Sequence, residues 1–138
     1  TQNTGNSNQA YVAQSGGSST GGELASIVQT NGNSNYASIG QSSTNEQAYI
    51  VQNGAGSGDH AYILQAADTQ YASITQTTSV GASTASINQT SAASNSSAYI
   101  TQSGAGVGNY ASITQAATYS YANINQVGSG HFATVNQH

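Results

Sequence analysis

Eleven glutamines stand at one fixed place in a recurring word of this 138-residue chain, and their amides are its most repeated functional group. A primary amide carries two N–H donors and one carbonyl acceptor. Buried without partners it costs roughly 1–3 kcal/mol, so a sequence that repeats one must also supply what it bonds. Other chemistry is sparse. Ser57, Asp59 and His60 lie close together, but on a strand Asp59 and His60 point to opposite faces, which defeats a hydrolytic arrangement. His60, His131 and His138 could ligate a metal, yet the first two are separated by about six strands and read as solvated strand or corner histidines. Gly54-x-Gly56-x-Gly58 precedes a strand, not a helix, and no basic residue follows, so it reads as a turn and not a phosphate loop. Asn88-Gln89-Thr90 and Asn95-Ser96-Ser97 match the glycosylation pattern, as a chain this rich in Asn and Ser would by chance. With no Cys there is no thiolate chemistry. The chain reads as a non-enzyme with no cofactor and no metal.

The word is Ala-x-Ile/Val-x-Gln, and it occurs eleven times. Its alanines are Ala10, Ala25, Ala37, Ala48, Ala61, Ala72, Ala85, Ala98, Ala111, Ala122 and Ala133. Its aliphatics are Val12, Ile27, Ile39, Ile50, Ile63, Ile74, Ile87, Ile100, Ile113, Ile124 and Val135. Its glutamines are Gln14, Gln29, Gln41, Gln52, Gln65, Gln76, Gln89, Gln102, Gln115, Gln126 and Gln137. All nine isoleucines of the chain fall in this one phase. Alternation of the fixed residues is the period of a strand with one face buried. Two positions before each Ala the same face carries a polar residue, among them Asn35, Glu46, Asp59, Gln70, Ser83 and Asn109. Each strand thus spans seven residues, and the links between strands hold four to eight. Those links are Gly-, Asn- and Ser-rich turns such as Asn53–Gly58, Ser103–Gly108 and Val127–Gly130, too short for a crossover helix.

An antiparallel meander and a solenoid both satisfy such links. A meander has no use for identical inward residues. A solenoid with two strands per coil stacks strand i on strand i+2, ~4.8 Å apart, and lets each Gln bond the Gln above and below. Identity therefore favours the solenoid: an all-β, two-sheet, cross-β stack of about 5.5 coils with parallel stacking, one repeat domain over 1–138, with 1–7 outside the repeat and a candidate for disorder. An odd number of strands would make successive copies start in opposite sheets. No run of apolar residues is long enough for a membrane helix. Absence of Lys and Arg argues against nucleic acid and against anionic membranes as partners.

With these residues in view, the chain resembles the curlin family, the subunits of curli functional amyloid fibres. Asn35-Tyr36-Ala37-Ser38-Ile39-Gly40-Gln41 and Asn109-Tyr110-Ala111-Ser112-Ile113-Thr114-Gln115 carry the resemblance, together with the Gln-to-Asn turn from Gln102 to Asn109. It implies a secreted protein that leaves through an outer-membrane channel, is nucleated at the cell surface by a second subunit, and polymerises into extracellular biofilm fibres that serve adhesion. The lack of Lys and Arg fits the major subunit better than the nucleator. Turns of uneven length, and turns without Gly such as Ala116–Tyr119, depart from the family pattern.

Independently of the resemblance, a stack with no Pro, no Lys and no visible cap leaves open strand edges that another copy can extend. The self-assembly core is then the Ala, Ile and Gln rows from Ala37 to Gln126, and the subunit ends are Ala10, Val12, Gln14, Ala25, Ile27, Gln29, Ala133, Val135 and Gln137. The alternative is a monomeric β-solenoid binding module, an ice-binding protein or an adhesin stalk. Thr75, Thr101 and Thr114 share one outward position but are interrupted by residues such as Val51 and Leu64. Tyrosines flank the Ala at outward positions, either as aromatic ridges for contact or because Tyr suits strands. Glu23 and Glu46 are stacked neighbours in the inner row unless both turn to solvent at the corner; stacked, they favour assembly at acidic pH.

Overall fold

A computed structural model of the chain describes residues 1–3, 5, 7–16, 22–54, 58–78 and 81–138. Among these there are twelve strands and no helix. In chain order they are β1 (Gln2–Asn3), β2 (Gln9–Gln14), β3 (Leu24–Thr30), β4 (Tyr36–Gln41), β5 (Gln47–Asn53) and β6 (His60–Gln65). The second half continues with β7 (Tyr71–Thr78), β8 (Thr84–Gln89), β9 (Ser97–Gly104), β10 (Tyr110–Gln115), β11 (Tyr121–Val127) and β12 (Phe132–Gln137). Odd strands form one six-stranded sheet and even strands the other. Every pairing is parallel and in register, Ala on Ala, Ile on Ile and Gln on Gln, as in Ala61↔Ala85, Ile63↔Ile87 and Gln65↔Gln89. The chain is a two-sheet β-solenoid.

Beyond the eleven words stands β1, two residues in a region left outside the repeat by its lack of an Ala-x-Ile word. Gln2 pairs with Gln29 and Asn3 with Thr30. The odd sheet therefore gains a partial sixth strand, and the two sheets are equal in number. The half coil implied by eleven words is taken up within the chain.

The core between the sheets is a single column of isoleucines flanked by alanines. Ile39, Ile50, Ile74, Ile87, Ile100 and Ile113 are each at most 1% exposed. Burying one such side chain stabilises by about 1.5–3 kcal/mol. The aliphatic column is narrow, so the backbone ladders and the polar rows beside it carry a share of the stability that a thicker core would otherwise supply.

Each coil turns two corners, and the residue just before the inner polar row is left-handed at most of them. Gly58 (φ 81°) and Gly130 (φ 69°) serve at one corner; Asn45 (56°), Thr69 (60°), Asn95 (56°) and Tyr119 (57°) serve at the other. Backbone bonds between turns hold the second corner: Thr69 N–H to Thr44 O at 3.0 Å, Asn95 N–H to Asp68 O at 3.1 Å, Tyr119 N–H to Ser94 O at 3.0 Å. This is how turns without Gly keep the coil. Close stacking demands Gly elsewhere: a Cβ at Gly108 would lie 1.6 Å from the Ala82 carbonyl oxygen.

A β-branched residue in the left-handed region is strained by about 1–2 kcal/mol. Thr69→Gly removes that strain while enlarging the entropy of the unfolded chain, and the net expectation is a gain of up to about 1 kcal/mol. Urea unfolding followed by circular dichroism measures it; a loss of stability would mean that the Thr69 side chain contributes more than its backbone costs.

Candidate functional site: the inner ladders and the two open ends

Two files of glutamine run the length of the stack. In the odd sheet each Nε2 donates to the next Oε1: Gln2 to Gln29 at 2.9 Å, Gln29 to Gln52 at 2.8 Å, Gln52 to Gln76 and Gln76 to Gln102 at 3.0 Å, Gln102 to Gln126 at 2.9 Å. In the even sheet Gln14 donates to Gln41 at 2.8 Å, Gln41 to Gln65 and Gln65 to Gln89 at 3.0 Å, Gln89 to Gln115 at 2.8 Å, and Gln115 to Gln137 at 2.9 Å. From Gln29 onward the second hydrogen of each amide crosses between the sheets to the carbonyl just before the preceding word. Gln65 Nε2 reaches Gln47 O at 3.1 Å, Gln102 Nε2 reaches Thr84 O at 3.1 Å, and Gln126 Nε2 reaches Tyr110 O at 2.9 Å. A flipped amide would set Oε1 against that carbonyl oxygen, so the cross-sheet contact orients every rung donated from Gln29 onward. All ten rungs accordingly donate in one direction, toward higher residue numbers, and aligned bonds polarise one another.

The polar rows at the two corners work differently. In the even sheet a side-chain oxygen accepts the backbone N–H of the same position one coil on. Asn35 Oδ1 takes Asp59 N–H at 3.1 Å, Asp59 Oδ1 takes Ser83 N–H at 2.9 Å, and Asn109 Oδ1 takes His131 N–H at 2.9 Å. In the odd sheet the row residue also binds a turn: Gln70 Oε1 accepts from Ala66 and Ala67 N–H of its own turn at 2.9 and 3.2 Å, Gln70 Nε2 donates to the Thr90 and Ala93 carbonyls of the turn one coil on at 3.2 Å, and Ser96 Oγ donates to Ala117 O at 3.0 Å while accepting Ser120 N–H at 3.1 Å. The repeat marked these positions as inward and polar; which backbone groups they serve is decided by turn geometry.

Glu46 occupies the place in its turn that Gln70 occupies one coil on, and it is fully buried. Its Oε2 accepts Ser43 N–H at 3.1 Å, whereas its buried Oε1 has no partner. Burial pushes its carboxyl up from the ordinary 4.5 against the pull of the Ser43 and Ser42 N–H groups, and the charges of Glu23 and Asp68 add to the rise. Desolvation, not like-charge stacking, is thus the leading cause. Asp68, exposed above the neighbouring turn, is held below its ordinary 3.8 by hydrogen bonds from the Ser43 and Thr44 hydroxyls and Thr44 N–H.

On the outer faces the tyrosines form files of their own. Tyr49, Tyr71, Tyr99 and Tyr121 succeed one another on the odd sheet with ring centroids 5.6, 5.2 and 5.7 Å apart. Tyr11, Tyr36 and Tyr62 do so on the even sheet at 5.4 and 5.3 Å. Burial between its neighbours raises the Tyr71 phenol, with Tyr99 and Tyr49 adding and a Ser73 hydrogen bond opposing. The threonines do not gather: Thr75 stacks on Thr101 in one sheet, while Thr114 belongs to the other. Ser57 lies outside the described residues; Asp59 is buried and His60 exposed, on opposite faces of their strand. Among the described residues no three His, Asp or Glu side chains are grouped to hold a metal.

Each end of the stack consists of two edge strands, one per sheet. β2 is exposed along its whole length and the inner residues of β12 are only half-buried, in contrast to the closed interior strands. Val12 is 50% exposed because β1 is too short to place a residue opposite it. Ala10, Val12, Gln14, Ala133, Val135 and Gln137 thus sit at the ends as the repeat count suggests. Gln29, also assigned there, is fully buried and bonded on both sides, to Gln2 and Gln52, since β1 covers it. Ala122, Ile124 and Gln126, assigned to the core, are buried there although they lie on β11, the last strand of the odd sheet. Gln2 was missed by the search for words, although it stands twelve residues before Gln14, within the repeat's spacing. At the β11–β12 end Gln126 and Gln137 each spend one N–H on a cross-sheet carbonyl and keep one for a further rung. The opposite end begins each file with a glutamine that donates inward. One end is a donor face and the other an acceptor face.

Comparison with known proteins finds no family model, no curated protein and no solved structure that matches the chain.

Removing an interior rung breaks three bonds at once: for Gln65, one N–H of Gln41 loses its acceptor, and Gln89 Oε1 and Gln47 O each lose the Gln65 amide as donor. Gln65→Leu is expected to cost about 3 kcal/mol or more, against less than about 1 kcal/mol for Gln137→Leu at the open end. Equal losses in denaturant titrations would show that the rungs do not act through their ladder. The sign of the pH effect follows from the raised carboxyl of Glu46. Its stabilising contribution is complete below the ordinary 4.5 and is lost as pH rises through the folded value. Asp68 acts oppositely and only at lower pH, so the two windows are separate. Glu46→Gln, which copies Gln70, should raise stability at neutral pH by about 1–3 kcal/mol and flatten its decline above pH 4.5. Thermal unfolding across that range checks it; an undiminished pH slope would assign the effect to another group.

Proposed function

We propose that this chain is a structural protein that polymerises end to end into a cross-β fibre. The observation that carries the proposal is the complementarity of the two ends: unused Gln126 and Gln137 N–H groups at one, acceptor-first glutamine files and the exposed Val12 at the other. Seating β2 of one copy on β12 of the next continues the Ala, aliphatic and Gln files without a change of spacing and closes two edges that are otherwise open to water. Contacts of this kind do not close into a ring and so give an open filament. The resemblance to curlins supports the same reading and extends it to an extracellular biofilm matrix fibre, a major subunit whose partners are a surface nucleator and an outer-membrane secretion channel. The alternative of ice binding has less support, since the outward Thr75 and Thr101 lie in one sheet and Thr114 in the other.

The test uses the edge strand. Tyr110 N–H binds His131 O and Ala116 N–H binds Gln137 O, so the backbone of odd residues in β12 faces β10 and that of Thr134 faces outward. Thr134→Pro deletes an outward donor and leaves the internal ladder intact. Wild-type chain at micromolar concentration should form fibres visible by electron microscopy with a cross-β dye signal. Thr134→Pro should keep the strand signal in circular dichroism yet lengthen poorly from preformed seeds. A wild-type chain that stays monomeric, or a variant that elongates normally, overturns the reading.

A further inference from the structure

We propose that the outward tyrosine files are sites of oxidative cross-linking, in which adjacent phenols join into dityrosine and tie one coil covalently to the next. The chain contains no Cys, Met or Trp but nine Tyr, so a one-electron oxidant meets phenols as the most readily oxidised side chains. Their placement then decides the product. Within each file Tyr alternates between the position after Ala (Tyr49, Tyr99) and the position before it (Tyr71, Tyr121). Neighbours are therefore diagonal across adjacent strands, a separation aromatic side chains can span. The rings meet tilted by 33–36° in the pairs Tyr11–Tyr36, Tyr36–Tyr62, Tyr49–Tyr71 and Tyr71–Tyr99. An offset, tilted pair brings ring edges together, where the ortho carbons lie. Tyr110 and Phe132, directly opposite in register, instead stack face to face at 4.8 Å and 7°, and Phe has no phenol to oxidise. The files are open to the reagent: Tyr11 is 53% exposed, Tyr62 38% and Tyr121 62%. His60 Nδ1, 3.2 Å from the Tyr62 hydroxyl, is placed to take the proton that phenol releases.

The chemistry balances with hydrogen peroxide as the oxidant, acting through a haem peroxidase. Two phenols each give up one electron and one proton to become phenoxyl radicals. Their ortho carbons form one C–C bond, and each ring regains aromaticity by moving its ortho hydrogen to oxygen. The two electrons and two protons reduce one peroxide to two waters. The files lie within a single chain, so the reaction does not depend on end-to-end assembly.

The experiment treats the dilute, folded chain with peroxidase and peroxide, then unfolds it and cleaves after its four acidic residues, giving fragments 1–23, 24–46, 47–59, 60–68 and 69–138. Mass spectrometry should find 47–59 joined to 69–138 (Tyr49–Tyr71), 1–23 to 24–46 (Tyr11–Tyr36), and 24–46 to 60–68 (Tyr36–Tyr62), each two hydrogens short of the sum. Tyr36 and Tyr49 are nearer in sequence than most file neighbours but lie on opposite faces, so 24–46 joined to 47–59 should be absent. Tyr49→Phe should abolish the link from 47–59 and spare the other two. Tyr119→Phe, which removes the most exposed phenol from outside the files, should leave all three unchanged. No linked fragments, a Tyr36–Tyr49 product as abundant as Tyr49–Tyr71, or a yield governed by Tyr119 would each overturn the proposal.

Discussion

A buried primary amide must place two N–H groups and one carbonyl, and in this chain the solution to that requirement organises the rest. Each interior Gln gives one hydrogen to the next Gln along the axis and the other to a backbone carbonyl in the facing sheet. The first bond needs an identical residue one coil away. The second needs the facing strand at a fixed height. Register, coil length and sheet-to-sheet offset are thereby tied to a single side-chain type, which explains why the Gln position is invariant while the outward positions drift. The isoleucines beside it supply apolar burial with no directional demand, and Val replaces Ile only at the terminal words.

Directionality is a consequence of the same geometry. Because the cross-sheet carbonyl admits only an N–H, the rungs from Gln29 onward share one direction, and the molecule acquires unlike ends. Most two-sheet proteins must hide their edges with charge, proline or a cap. Here the edges are complementary to each other, and the proposed end-to-end assembly would cover the exposed Val12 and pair the free amide N–H groups. Glu46 is the place where the interior departs from neutrality: a carboxyl where the next coil has an amide, buried with one oxygen unpaired. It makes the stack responsive to pH through desolvation. The outer faces carry a separate property, since the aromatic files need the solenoid's spacing but take no part in its core.

Much of this was legible in the residue order. Eleven copies of Ala-x-Ile/Val-x-Gln with four- to eight-residue links leave no room for helices, and the identity of inward residues pointed to like stacked on like. Gln65 bonded to Gln89 is the direct outcome. Gln2 was not legible as part of the repeat because it lacks the Ala and Ile of a word; only its pairing with Gln29 reveals it. The assignment of Gln29 to an end followed strand number along the chain, whereas β1 covers it and leaves it fully buried.

The sequence by itself determined the period, the inward triplet and the absence of charge or proline at the edges, because these are properties of residue type and spacing. The tertiary structure decided what those properties serve. Which corner row serves the backbone of the next strand and which ties its own turn to the turn one coil on depends on turn path, as Asp59 and Gln70 show. Which tyrosines become neighbours depends on strand i meeting strand i+2, so that Tyr49 touches Tyr71 and not Tyr36. The common direction of the amide files arises only when the facing sheet presents its carbonyls, a relation between residues sixteen to twenty apart that no local pattern encodes.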